Sequence, residues 1–507
     1  MNRTWLIRTW SVLGSAALAG CTLGPNFVRP AAPASAYSRS VAADGGARSF
    51  SYGGEVAGDW YRLFRSDALD HLVRQALANN PSLEGARHGL AAAQDELEAV
   101  SGAALPQIDA TGEIGRAHIN GSELYGPTSE IDVTGNRYEI GPSLAYNLDL
   151  FGGVRRSIEA QQAQTAAAQD QLRDTYVTLV DQVVVTAFDY AAVRAQIKVT
   201  RSLVSELQAQ YDLNVQLEKA GKIIHSDTLQ AQTQLENVRA TLPALEQQGD
   251  TYRDALARLS GQAPDQFRMP DLTLADFELP GQLPVSLPSA LVQQRPDVLA
   301  AEENLHAASA QIGVAEAARL PQLSISAQYA QQTGRLSDLF TRPGGVWSAG
   351  LGAAAPLFHG GTLAARADEA KQRYAQSLSA YQSTVIGAFV DVADALQALQ
   401  HDADGYAAHD RALRAAAENQ DLAAAQYRAG KYTELQVLTA EQQYQNAALA
   451  QVQADVQRFT DTAALFRALG GGWWNAPDPA LLGAASPDSH SNSNRHDIIA
   501  SGSSSHD

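Results

Sequence analysis

The 507-residue chain carries one thiol, Cys21, eleven histidines and 55 Asp and Glu side chains. Nucleophilic, metal-assisted or acid–base catalysis would draw on these groups at characteristic spacings. The sequence contains no His-Glu-x-x-His and no Gly-x-Ser-x-Gly. No Gly-x-x-x-x-Gly-Lys precedes either Ala220-Gly221-Lys222 or Ala429-Gly430-Lys431. His225 and His359 stand at expected turns without neighbours at metal-ligand spacing. A single cysteine excludes an intramolecular disulfide and a zinc site built from several thiolates. The carboxylates are scattered along the chain like those of solvated helix faces. No cofactor, no metal and no enzymatic activity are therefore expected. With 37 Lys and Arg, the net charge of −18 also argues against a nucleic-acid partner, which would need a basic patch.

The chemistry left to Cys21 is acylation. Residues 1–20 have a basic start (Arg3, Arg8), a short apolar stretch and small residues at the end, the layout of a secretory signal. They lead into Leu18-Ala19-Gly20-Cys21, which has the form of a bacterial lipobox, in which the thiol takes a diacylglyceryl group and becomes the mature N-terminus. A free cysteine beside an ordinary cleavage site is the alternative, but the only cysteine falls at the cleavage position. Each buried methylene contributes about 0.8 kcal/mol, so two or more acyl chains anchor where one would not. Thr22 follows, with no aspartate, which implies sorting to the outer membrane. Removal of Arg3 and Arg8 takes the mature charge to 37 − 2 − 55 = −20.

The remainder is duplicated. Asn80-Pro81-Ser82-Leu83 to Leu105-Pro106-Gln107 returns as Arg295-Pro296-Asp297-Val298 to Leu320-Pro321-Gln322, with Ala86 and Leu90 matched by Ala301 and Leu305. Leu150-Phe151-Gly152-Gly153 is echoed by Leu357-Phe358-His359-Gly360-Gly361, and the two Ala-Gly-Lys segments follow in the same order. The unit of about 200 residues is too long for a solenoid repeat. The implied organisation is a signal at 1–20, a lipidated extended segment at 21–65, repeats at 66–263 and 288–474, a Pro-rich equatorial linker at 264–287, and a disordered polar tail at 475–507. Length alone would instead imply about three average domains.

Within each repeat, two periods alternate. Between Pro142 and Pro243, Leu172, Tyr176, Leu179, Val183, Thr186, Tyr190, Val193 and Ile197 recur at spacings of four and three. Val177, Val180, Val184, Ala187 and Ala191 form a second stripe beside them. Two adjacent stripes require a helix with neighbours on two sides. From about residue 153 to about 220 it would be about 100 Å long. Residues 138–150 and 323–331, and more weakly 107–119 and 346–357, alternate apolar and polar with period two, joined by polar loops at 120–136 and 332–345. A half-buried soluble sheet has this pattern, and so do outer-membrane barrel staves. With a lipidation signal and such long helices, staves are the better reading. Four cannot close a barrel, and open edges in lipid cost several kcal/mol per unpaired group, so the staves require oligomerisation. No run of about 18 apolar residues marks a spanning helix.

These pieces together resemble the TolC-like outer-membrane factors, specifically the NodT-type lipoproteins of tripartite efflux pumps. The matching residues are Gly24-Pro25-Asn26-Phe27 with Arg29-Pro30, Trp60…Phe64…Leu69, Gln294-Arg295-Pro296-Asp297-Val298 with Ala301-Glu302, and Ile312-Gly313…Pro321. The two Leu-Phe-Gly corners and Ala468-Leu469-Gly470-Gly471-Gly472-Trp473 complete the set. The resemblance implies a mainly α fold with a small transmembrane β part, a duplicated repeat of long antiparallel helices plus four strands. Three copies would form a 12-stranded β-barrel and a helical periplasmic barrel in the outer membrane of a Gram-negative bacterium. Implied partners are a periplasmic membrane-fusion adaptor, an inner-membrane pump driven by protons, and outer-membrane lipid. The implied function is passive exit of small toxic compounds; a polypeptide-secretion duct and a non-pore periplasmic coiled-coil lipoprotein are the alternatives. Around the two Ala-Gly-Lys turns the resemblance places a periplasmic gate of Asp227, Tyr427, Lys431, Tyr432 and Glu434. Asp227 also suits helix N-capping. Tyr432, Gln436 and Thr439 depart from the charged residues that relatives carry.

Overall fold

The structure, a computed structural model, describes residues 22–31, 49–120, 132–285, 288–341 and 343–476. The expected signal, Cys21 and the tail from 477 onward lie outside the described residues, as does most of the first polar loop. In chain order the elements are β1 (Ser49–Tyr52), α1 (Asp67–Asn79), α2 (Pro81–Gly102), β2 (Gln107–Asn120) and β3 (Asp132–Leu148). Then come α3 (Gly153–Lys219), α4 (His225–Arg239), α5 (Leu242–Leu259), β4 (Gln282–Val285), α6 (Pro288–Gln294) and α7 (Pro296–Ala317). They are followed by β5 (Gln322–Thr333), β6 (Gly345–Ala354), α8 (Thr362–Arg428) and α9 (Glu434–Ala468). The described residues cluster into two compact units, each drawing on both repeats: those within 22–30, 91–167 and 301–382 in the first, and those within 31–90, 168–300 and 383–476 in the second.

The first unit holds an antiparallel sheet in the order β2-β3-β5-β6. Its register puts Ile108 opposite Leu144, Leu144 opposite Ala327 and Ala327 opposite Ala349; Tyr146, Ile325 and Leu351 form a second row, and Tyr329 faces Trp347. This face is apolar along most of its length, turning polar towards the loops at Arg116, His118 and Gln331, and it is uncovered: Ile114 is 76% exposed and Trp347 77%. On the other face Glu113 lies opposite Glu139, a like-charge pair relieved by Arg137, which reaches Glu113 at 2.6 Å. The Gln328 amide donates to Glu139 at 2.7 Å. β3 begins six residues before its expected start and ends two short of its expected end, while β5 runs past both expected limits; pairing from Asn120–Asp132 and Tyr138–Thr333 continues where the apolar pattern stops. The second expected loop contains a 3-10 turn at Leu336–Asp338. At Gly141 the strands approach so closely that a Cβ would lie 2.0 Å from the Tyr329 carbonyl oxygen.

An extended segment, Thr22–Pro30, docks in the same unit. The Leu23 N–H donates to the Phe151 carbonyl at 3.1 Å. The Arg156 side chain, only 3% exposed, donates to the carbonyls of Leu23 (2.9 Å) and Gly24 (3.3 Å), to Asn26 Oδ1 (2.8 Å) and to Glu159 Oε2 (2.6 Å). Phe27 stacks on His306 at 4.4 Å between centroids, and Arg29 pairs with Glu302. Gly24 is obligatory: its φ is +87°, and a Cβ would meet Gly313 Cα at 2.5 Å.

The second unit is built around α3. Of the two stripes expected for this helix, Val177, Val180, Val184, Ala187 and Ala191 are all buried, and on the other Leu172, Tyr176, Leu179, Val183 and Val193 are buried while Thr186, Tyr190 and Ile197 are half-buried. At 67 residues α3 is about 100 Å long. By composition one window of α3 is apolar enough to cross a membrane, which the sequence reading had not expected, but 67% of that window is packed inside the protein. Phe188 of α3 meets Phe64 edge-on at 4.9 Å and Phe277 at 4.8 Å, while Trp60 stacks on Phe466 at 5.0 Å. The Trp60…Phe64 stretch is therefore core, its rings contributing beyond area burial through edge and stacked geometry. The Pro-rich segment is partly regular: β4 pairs in parallel with β1, from Ser49–Gln282 to Tyr52–Val285. That pairing had no sequence signal beyond four residues on each side.

Replacing Gly141 by alanine forces β3 away from β5, and the amount of folded protein recovered from cells should fall severalfold. Gly135→Ala, in the same strand with nothing within 4 Å of its Cβ position, should leave recovery unchanged.

Candidate functional site

Both Ala-Gly-Lys segments end long helices by the same hydrogen-bond pattern. Lys222 N–H donates to the Leu217 carbonyl (2.9 Å) and Gly221 N–H to Glu218 (2.8 Å); Lys431 N–H donates to Gln426 (2.9 Å) and Gly430 N–H to Tyr427 (2.9 Å). Gly221 and Gly430 have φ of +68° and +70°, the left-handed conformation that this helix stop requires. The chain then returns as α4 and α9. A core of Leu203 and Leu207 (α3), Leu235 and Val238 (α4) and Leu438 (α9) ties three helices together, and Tyr427 of α8 packs on Ala423, Val437 and Ala440.

The turns are 209 residues apart (Ala220 to Ala429), and this offset pairs positions of different chemistry. Thr433 caps α9 through a capping box: Gln436 Oε1 accepts from the Thr433 N–H at 2.7 Å. This occupies Gln436, one of the departures from the acidic pattern, in holding the turn. The counterparts in the first repeat are Ile224, which cannot cap, and Asp227. Asp227 is not the N-cap; it sits in the first turn of α4, where a carboxylate opposes the helix dipole. Glu218 and His225, the counterparts of Tyr427 and Glu434, share a hydrogen bond of 2.8 Å. His225 therefore has a charged partner that spacing alone did not indicate.

Of the five expected gate residues, three lie in electrostatic reach of one another. Glu434, 8% exposed, accepts from the Asn214 amide of α3 through Oε1, and its Oε2 has no partner. Burial, and after it the Asp227 charge, push its carboxyl above the ordinary range, against the Asn214 bond. Burial, then the charges of Glu434 and Asp227, likewise raise the Tyr427 phenol. Asp227 and Tyr427 share no hydrogen bond within the chain. Lys431 and Tyr432 follow the turn at the surface, Tyr432 also donating its N–H to Gln426. Thr439 donates to the Leu435 carbonyl within its own helix at 2.7 Å.

Sequence reasoning missed two members. Asn214 carries no motif; it matters because it is fully buried opposite Glu434. Glu441, two turns along α9, is pushed to about 7 by burial and by the charges of Glu206 on α3 and Glu434 on its own helix. Beside these, Ser226, Leu229 and Thr233 of α4 and Leu435, Leu438 and Gln442 of α9 line an open groove of about 360 Å³.

The Gln294–Val298 motif has a different task. Arg295 grips Asp297 through two nitrogens (3.0 and 2.7 Å), reaches Asp391 of α8 at 2.9 Å and the Ala468 carbonyl of α9 at 3.3 Å. Trp473 donates its indole N–H to the Gln294 carbonyl at 2.6 Å and stacks under Arg173. Three helices are clamped by one guanidinium. Among the described residues no group of three or more His, Cys, Asp or Glu is arranged to hold a metal.

The family profile described as "Outer membrane efflux protein" matches residues 72–262 and 287–471. The chain is 30% identical over 469 residues to the outer membrane protein OprJ of Pseudomonas aeruginosa, covering 90% of this chain and 94% of OprJ. It is 29% identical over 462 residues to the toluene efflux pump outer membrane protein TtgC of Pseudomonas putida, covering 90% and 94%. Among solved structures, the outer-membrane channel OprN matches with a TM-score of 0.80 at 29% identity, over 89% of this chain and all of that one.

Because Glu441 is held above the ordinary value of 4.5, its protonated form favours the packed helices. That contribution is complete below about pH 4.5 and is lost as pH rises through about 7. Hydrogen exchange of the α3–α9 contact should accelerate between pH 5 and 8, after correction for intrinsic exchange. Glu441→Gln should remove that acceleration.

Proposed function

The chain belongs to the outer membrane efflux protein family, and we propose that it works as a homotrimer whose twelve strands close one pore. It is the outer-membrane channel of a tripartite efflux system. The observation that carries the trimer is the pair of unpaired sheet edges, β2 and β6, in a sheet with an uncovered apolar face. Pairing β6 of one copy with β2 of the next satisfies both edges, and three such junctions close a ring. Leu357 and Phe358, 95% and 88% exposed just after β6, belong to the same junction. The long helices line a periplasmic tunnel, and the domain limits at 66–263 and 288–474 mark the duplicated halves that supply it.

The transported molecules are small toxic compounds, in keeping with the toluene export named for one relative. Transport through this chain is passive. A proton-driven inner-membrane pump and a periplasmic adaptor deliver the cargo, and the adaptor engages the helix turns, where Ile224, Leu229, Leu435 and Tyr432 are exposed. Acylation of Cys21 anchors the chain in the outer membrane. No step in this scheme asks the chain to act as an enzyme.

Asp227, Tyr427, Lys431, Tyr432 and Glu434 form the gate that keeps the turns together until the adaptor binds. Its firmest contact is the buried Asn214–Glu434 bond, whose loss would leave a buried carboxylate without its donor at a cost of about 1–3 kcal/mol. In planar bilayers the purified trimer should conduct, with Asn214→Ala and Asp227→Ala opening several times more often or to higher conductance. Unchanged conductance in both variants would remove these residues from the gate. A wild-type protein that is monomeric and never conducts would return the chain to the non-pore lipoprotein alternative.

A further inference from the structure

The junction between β3 and α3 borders a half-open hollow of about 240 Å³. Leu148, Leu150, Val154, Val314, Pro321 and Leu323 are among its lining residues, together with the polar Asn147 and Gln322. Leu148 and Leu323 are also the cross-strand pair at the end of the apolar sheet face, so the cavity continues that face. The charged lining residue, Asp149, is engaged with α3, accepting the N–H groups of Val154 (3.1 Å) and Arg155 (2.9 Å). An apolar hollow of this kind, open towards a lipid-facing surface, holds hydrocarbon better than water.

The docked N-terminal segment begins at its rim. Thr22 lies so close to Gly152 that a Cβ there would meet Thr22 Cγ2 at 2.7 Å, and both neighbours of Gly152, Phe151 and Gly153, line the cavity. Leu23 bonds Phe151, and its carbonyl oxygen would lie 2.6 Å from a Cβ on Gly313, next to the wall residue Val314. One Cα–Cα step of about 3.8 Å separates Thr22 from Cys21. Every glycine in this contact removes a side chain that would hold the segment off the cavity mouth.

We propose that the cavity is the seat of one fatty acyl chain carried by Cys21. This rests on the acylation of Cys21 and adds where one of its chains goes: against the wall of the sheet, while the others enter the bilayer. A bilayer lipid would gain nothing by leaving hydrocarbon for this hollow, because both surroundings are apolar. The tethered chain differs in being held permanently at the mouth, which raises its effective concentration far above that of any free lipid. The arrangement fixes the azimuth of the anchor on the protomer. It also explains why the first residues after the cysteine are gripped by a buried arginine when a loose tether would serve for anchoring alone.

The test uses the full-length channel from cells fed a diazirine-bearing palmitate, purified, irradiated and digested for mass spectrometry. The expected product is the acylated N-terminal peptide joined to a peptide containing residues 147–154 or 314–323. Ala318→Trp, which fills the cavity from its wall, should lower that product at least tenfold with the acyl mass and the trimer retained. Three results overturn the seat while leaving the anchor intact: an acylated N-terminus joined only to phospholipid, cavity peptides joined only to free phospholipid, or a product unaffected by Ala318→Trp. A Cys21 peptide without acyl mass overturns both.

Discussion

Backbone groups in hydrocarbon must find partners within the protein, and this sheet leaves two edges without them. The four strands pair along the order β2-β3-β5-β6, with the β3–β5 ladder interrupted at Gly141–Pro142, yet the outer edges of β2 and β6 have no strand partner among the described residues. A soluble sheet could hydrate those edges. One whose neighbouring face carries exposed Ile108, Ile114, Trp347 and Leu351 has committed that face to lipid. Oligomerisation, the close approach at Gly141, and the use of one face for Glu113, Arg137 and Glu139 all follow from closing the ring around a polar interior.

The duplication gives two equivalent helix turns, and the two have diverged in what holds them. The second is secured by side chains: Thr433 and Gln436 cap α9, and Glu434 reaches across to Asn214. The first has Ile224 where Thr433 stands and relies on the Glu218–His225 bond at the surface. Buried polar contacts hold more firmly than exposed ones and cost more to leave unmade. The two turns therefore differ in what holds them, and the asymmetry lies in the returning helices, since both glycine stops are alike.

Much of this was legible in the residue order. Alternation over 138–150 and 323–331 identified β3 and β5, and the paired stripes of α3 announced burial on two sides, because burial imposes period on a regular backbone. The glycines of the turns were legible because a left-handed stop admits little else. Limits were less so: β3 starts at Asp132, in a stretch without apolar alternation, since pairing there depends on β2 and not on packing. The β1–β4 pair was not legible at all, being four residues long and joined across 230 residues of chain.

For the candidate site the division is sharper. Sequence alone determined the long helices, the alternating strands and the two glycine-stopped turns with Asp227 and Tyr427 beside them. These depend on local periodicity and on motifs, which a linear sequence states directly. Only the tertiary structure decided that Glu434 is buried against Asn214, that Glu441 meets Glu206, and that Arg295 clamps three helices. It alone placed Thr22 at the mouth of an apolar cavity. Each of those contacts joins residues far apart in the chain, and a side chain's burial and charge are set by the neighbours that folding brings to it.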